Sequence, residues 1–177
     1  MGGSPLIRPA VKPEPVDLTT LPRAELMREV TDLVALHAEL IDDDRLEEWP
    51  DLFTEECLYS VIPRENADRG LPVATIFCDS RGMLVDRVVS LRRANIFPVH
   101  NYRHIISTSR IHGVTPEAVT AHTNYVVLQT RNIGQSFVYN TGKYVDEIVY
   151  SSGRFLFRSK KAIFDTDLVD TLMVRPI

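Results

Sequence analysis

The sequence predicts an α+β domain, and three observations carry that reading. Residues 20–95 hold segments whose apolar side chains recur every three or four positions, the period of an amphipathic helix. Residues 102–164 hold four runs rich in β-branched and aromatic residues, divided by turn residues. The helical half comes first and the strand-rich half second, an order that packs helices against an antiparallel sheet rather than building alternating parallel units.

The chain has 177 residues, enough for one domain that buries roughly 70% of its unfolded surface. Hydrophobic residues make up 44% and charged residues 25%, so the bulk of the chain is neither disordered nor fibrous. A formal net charge of −4 argues against a dedicated nucleic-acid binder, which needs a basic face. No apolar run reaches the roughly 18 residues of a membrane span. Two cysteines, Cys57 and Cys78, are too few for a four-cysteine zinc or iron–sulfur site. The Gly/Pro-rich start, Met1 to Ala10, lacks the apolar core of a secretory signal. The expectation is therefore cytoplasmic residence with reduced, buried thiols.

Residues 1–19 hold four of the eleven prolines and two of the eight glycines, and read as an extended arm outside a single domain at 20–177. Thr20 is placed to cap the first helix, with Pro22 tolerated in its first turn. Leu26, Val30, Leu33, Val34, His37, Leu40 and Ile41 form its apolar face. The acidic run Asp42 to Asp44 ends it, where negative charge opposes the helix dipole; a solvated turn is the simplest reading. Leu46 to Phe53 reads as a second, short helix limited by Pro50. Strands follow at Cys57–Ile62 and Val73–Cys78, joined by a polar loop from Pro63 to Gly70. Asp79 or Ser80 caps a third helix running to about Asn95, with Met83, Leu84, Val88, Leu91 and Ala94 as its stripe and Pro98 as its stop.

The remaining strands are expected at Tyr102–Ile111, Ala121–Thr130, Phe137–Tyr150 and Arg154–Phe164. In the last, Phe155, Phe157 and Ile163 alternate with Arg154, Arg158 and Lys160, which assigns the first set to the core and the second to water. Helix–helix–strand–strand–helix followed by four strands is the order of the cone-shaped α+β fold of nuclear-transport-factor-2-like proteins, with a curved, mostly antiparallel sheet. Fold order alone does not assign function.

Each candidate for chemistry has a structural counterpart. His100 and His104 stand at a spacing that keeps both on one face of a strand, and His112 and His122 flank a turn between adjacent strands across which they could approach each other. No carboxylate accompanies either pair locally, so hydrogen bonding within the fold is favoured over metal ligation. Tyr59, Asp79, His104 and Tyr125 are the acid–base set that a working cone would recruit. No nucleophile elbow, phosphate loop or dinucleotide fingerprint is present. Sixteen arginines against four lysines lean toward assembly, because the guanidinium fork favours interface pairs.

Five stretches carry a more specific signal: Asp79 to Arg87 (DSRGMLVDR), Leu91 to Phe97 (LRRANIF), Tyr102 to Ile105 (YRHI), Trp49 to Phe53 (WPDLF) with Cys57 and Tyr59, and Asp170 to Met173 (DTLM). Over residues 24–177 the chain resembles the small (β) subunit of aromatic-ring-hydroxylating dioxygenases, the Rieske non-haem iron oxygenases, of the type serving aromatic carboxylates. The resemblance implies a non-catalytic structural subunit in an α₃β₃ assembly. The large subunit would carry the Rieske 2Fe–2S cluster and the mononuclear iron, fed by an NAD(P)H-dependent reductase, with or without a ferredoxin. It implies no catalytic, cofactor-binding or metal residue in this chain, and no nucleic-acid or membrane partner. A polar network of Asp79, Asp86, Arg87, Arg103 and His104 is expected to fix the third helix against the sheet or a partner subunit. The competing reading is a self-sufficient cone-fold isomerase, dehydratase or cyclase, or a small-ligand-binding protein. An open cone with converging polar groups would favour it, and a cone filled by side chains would favour the subunit.

Overall fold

The computed structural model describes residues 16–94, 100–131, 134–166, 173 and 175–177. A capped 3₁₀ turn, Leu18–Thr20, leads into α1 (Arg23–Asp42). A second 3₁₀ turn, Trp49–Leu52, precedes β1 (Phe53–Pro63), the short α2 (Arg64–Asp68) and β2 (Ile76–Cys78). Then come α3 (Arg81–Arg93), β3 (His100–Ile106), β4 (Arg110–Val114), β5 (Ala118–Arg131), β6 (Ser136–Ser151) and β7 (Arg154–Phe164).

The strands form one sheet in the order β2-β1-β7-β6-β5-β3, with β4 also on β5. Every pairing is antiparallel except β1 with β7. This curved sheet, with its helices drawn mainly from the N-terminal half, is the nuclear-transport-factor-2-like cone. Helix α1 lies against β3 and β7, and α3 against β1. The buried α1 residues Leu26, Val30, Leu33, Val34, His37, Leu40 and Ile41 are those its periodicity selects.

Several boundaries move, each for a local reason. Pro22, not Thr20, occupies the N-cap of α1, because Thr20 closes the preceding turn onto Asp17. The arm expected to end at 19 is docked by then: Leu18 is fully buried and its N–H bonds to Pro116 O at 3.0 Å. The rest of that arm, Pro98 and most of the Asp170 to Met173 stretch lie outside the described residues. The segment at Leu46 is a turn ending in 3₁₀ geometry, since Pro50 supplies no N–H to a longer helix, and β1 starts at Phe53 rather than Cys57. The Pro63–Gly70 loop contains α2, and only Ile76–Cys78 of the second strand pairs.

Ser80 caps α3, accepting from Met83 N–H at 3.4 Å. Leu84, Val88 and Leu91 are buried as expected, but Met83 is 40% exposed. The run from Tyr102 to Ile111 divides into β3 and β4, both pairing with β5. Ser152 and Gly153, with φ of 54° and 84°, make the tight turn between β6 and β7. At Gly142 a Cβ would stand 2.2 Å from Ile163 O and 2.8 Å from Phe164 Cα, so β6 and β7 approach too closely there for any side chain.

Candidate functional site

Inward-facing positions of the strands place aromatic and polar groups in the interior. Trp49, Tyr59, Tyr144, Phe53, Phe157 and Lys160 are among the largest fully buried side chains. At the centre Lys160 Nζ bonds both oxygens of Asp146, at 3.2 and 3.1 Å, and both side chains are sealed from solvent. The ammonium also sits 3.7 Å from the Tyr144 ring centroid, over the negative face of the ring. Burial pulls the Lys160 pKa down and pushes the Asp146 pKa up, with the pairing opposing both shifts.

Lys160 was expected on the wet face of β7, and the structure reverses that assignment. A bulge lies where Glu147 pairs with Ser159 but Ile148 pairs with Phe157, so Arg158 is the extra residue. Beyond it the alternation changes phase, which turns Lys160, Ala162 and Phe164 inward and leaves Ile163 half-buried.

Around the pair, Trp49 Nε1–H donates to His37 Nδ1 at 2.9 Å. An indole nitrogen only donates, so His37 is neutral with its proton on Nε2. Burial first, then Lys160 and His104, hold the His37 pKa well below the usual imidazole value. Tyr59 Oη donates to Ile177 O at 2.8 Å and accepts from Ile177 N–H at 3.0 Å, tying residue 177 into the interior. Tyr125 Oη donates to Asn140 Oδ1 at 2.7 Å. Burial raises the phenol pKa values of Tyr59, Tyr125 and Tyr144, so all three stay protonated.

Of the four acid–base candidates, Asp79 stands apart from the other three, which are buried. Tyr59 and Tyr125 face the interior with their hydroxyls already engaged, His104 belongs to a separate junction, and Asp79 is exposed. That junction joins α1 to β3. Asp42 Oδ2 accepts the His104 backbone N–H at 2.8 Å, and its Oδ1 accepts Nδ1–H of the same residue at 2.6 Å. The acidic run is the solvated turn expected at Asp43 and Asp44 but not at Asp42, whose side chain is 4% exposed. Asp44, at φ 59°, is bridged by Arg92 at 2.7 Å and Arg175 at 3.0 Å.

Of the five network residues, Arg103 and His104 meet at Asp42, with Arg103 Nη1 3.8 Å from Oδ2. Arg87 instead donates to Met173 O at 3.1 Å, linking α3 to the chain's last segment. Asp79 and Asp86 are exposed, and among the described residues no hydrogen bond or ion pair joins them to the other three. His100 and His104 share the buried face of β3, while the rings of His112 and His122 lie 3.8 Å apart on the outside.

Metal chemistry needs a donor set, and the described residues do not supply one. A Rieske centre takes two thiolates and two imidazoles. Burial pushes the Cys57 thiol up to about 11 and raises Cys78, opposing thiolate formation. Both cysteines are free, and no three His, Cys, Asp or Glu side chains are grouped to hold an ion. No described helix is long and apolar enough to cross a membrane.

Against known proteins, residues 36–171 match the family described as the ring hydroxylating beta subunit. The chain belongs to that family. It is 47% identical over 137 residues to the anthranilate 1,2-dioxygenase small subunit of Burkholderia cepacia, covering 77% of this chain and 85% of that protein. It is 36% identical over 143 residues to terephthalate 1,2-dioxygenase terminal oxygenase component subunit beta 2 of a Comamonas species, covering 81% and 93%. The crystal structure of a β subunit assigned to an aromatic-ring-hydroxylating dioxygenase from Novosphingobium aromaticivorans superposes with a TM-score of 0.80 at 46% identity. That match covers 87% of this chain and 98% of the other. The β-subunit resemblance and the cone fold drawn from the sequence are thereby established. The interior network of this β subunit (His37, Trp49, Asn140, Asp146, Lys160) was missed in the sequence, and only the Lys160 to Asp146 spacing across a β-hairpin could have signalled it.

Proposed function

We propose that the chain is the non-catalytic, structural β subunit of an oxygenase that oxidises an aromatic carboxylate, working in the cytoplasm within an α₃β₃ assembly. The large subunit would carry the Rieske 2Fe–2S cluster and the mononuclear iron and receive electrons from an NAD(P)H-dependent reductase, directly or through a ferredoxin. The observation that carries this reading is that the interior polar groups bond mainly to one another. The Tyr59 and Tyr125 hydroxyls and the Lys160 ammonium bond to Ile177, Asn140 and Asp146, which supports a structural role for them. The relatives named for anthranilate and terephthalate support the substrate class, since both compounds carry a ring-bound carboxylate.

Co-expression with the cognate large subunit tests the proposal. A hexameric mass with iron in the complex, and none held by purified β subunit, is the expected result. Stoichiometric iron on the β subunit alone, or no association with the large subunit, would contradict it.

A further inference from the structure

Four basic groups gather on the outer face of the sheet, away from the core. Arg110 and His112 lie on β4, His122 on β5 and Lys143 on β6, and together they line a cleft of about 500 Å³. Strand register puts them there: Arg110 pairs with His122, and Asn124 with Lys143. The His112 and His122 rings are 3.8 Å apart and tilted by 31°. Several other arginines are paired with carboxylates, as Arg92 with Asp44 and Glu47, Arg158 with Glu147 and Arg64 with Asp165. Among the described residues, Arg110, His112, His122 and Lys143 have no acidic partner, and the rest of the lining is Ser107, Thr108 and Asn124. A chain of net charge −4 thus concentrates uncompensated positive charge and hydrogen-bond donors in one place. The two permanent charges, Arg110 and Lys143, stand on the strands either side of β5.

We propose that this cleft is a carboxylate-binding site, filled by a free organic acid or by an acidic side chain of a partner subunit. The Arg110 fork is suited to a bidentate carboxylate, and Lys143 and the imidazoles supply further charge. Burial, then His112 and Lys143, lower the His122 pKa. A bound anion opposes the effect of His112 and Lys143, so binding raises the His122 pKa and tightens as pH falls from about 8 to 5. The charged groups facing His122 across the cleft are Arg110 and His112 from β4 and Lys143 from β6.

The test follows the ring resonances of His112 and His122 by NMR in the full chain during titration with benzoate, and measures assembly with the large subunit in parallel. The expected result for a free acid is a saturable shift and a raised His122 pKa, with affinity falling at least about tenfold in Arg110→Ala/Lys143→Ala, the scale of one charge-assisted hydrogen bond. If a partner's carboxylate fills the cleft, benzoate leaves the isolated chain unchanged, and the same double variant weakens assembly about tenfold in low salt with less effect in high salt. Melting of the double variant serves as the control for folding. The proposal is overturned if benzoate produces no saturable shift and the double variant assembles as the parent does. The benzoate arm needs no large subunit, so this site and the proposed assembly role fail separately.

Discussion

At the scale of single residues, the interior depends on groups that cannot be removed one at a time. Lys160→Met leaves Asp146 as an uncompensated buried charge, a change that costs about 3–5 kcal/mol. Asp146→Leu/Lys160→Met removes both charges and should recover most of that loss, as read in urea unfolding midpoints. A double variant no more stable than Lys160→Met would mean the pair is not the coupled unit described. His37 supplies a pH signature. Its folded pKa lies below that of the unfolded chain, so the unfolded state binds the proton first as pH falls. Its contribution is fully present above about pH 6.5 and is lost progressively below it. The parent's Tm should therefore fall from pH 7 to pH 5 more steeply than that of His37→Phe. At neutral pH the variant itself should be about 1–3 kcal/mol less stable, because the Trp49 N–H loses its acceptor. Parallel Tm profiles would count against a neutral, buried His37.

At the scale of elements, the sequence was legible where period and punctuation agree. The apolar stripe of α1, the Ser80 cap of α3, the Ser152-Gly153 turn and β7 from Arg154 to Phe164 all stand where spacing and turn residues put them. What was hidden depends on register. One extra residue at Arg158 exchanges the faces of the following positions, and no local pattern announces it. The same limit hid the role of Asp42: its partner His104 is 62 residues away, so the unfavourable charge at a helix end could be noticed but not explained. Two variants test these elements. Asp42→Ala strands the His104 N–H and should cost about 1–3 kcal/mol in unfolding experiments, against little change for the exposed Asp43→Ala. Gly142→Ala must displace the β7 backbone and should lower the Tm more than Gly82→Ala on α3, where a Cβ meets only Ser80 Oγ at 3.9 Å. Equal melting of the two glycine variants would argue against the close approach of β6 and β7.

At the scale of the whole molecule, the interior gathers aromatic side chains around a buried ion pair. The Tyr59 link to Ile177 also lies in the interior, while Arg103 and the Arg110 cleft face outward. On the proposed structural reading, the chain serves a complex through its shape and surface, and its tyrosine hydroxyls hold structure. Turnover per iron in the assembled oxygenase tests that claim most directly, using Tyr59→Phe and Tyr125→Phe in the β subunit. The account predicts turnover per iron within about twofold of the parent wherever the complex forms, even if the variants melt earlier. A loss of about a hundredfold or more in intact complexes, the scale of a missing general acid or base, would contradict it.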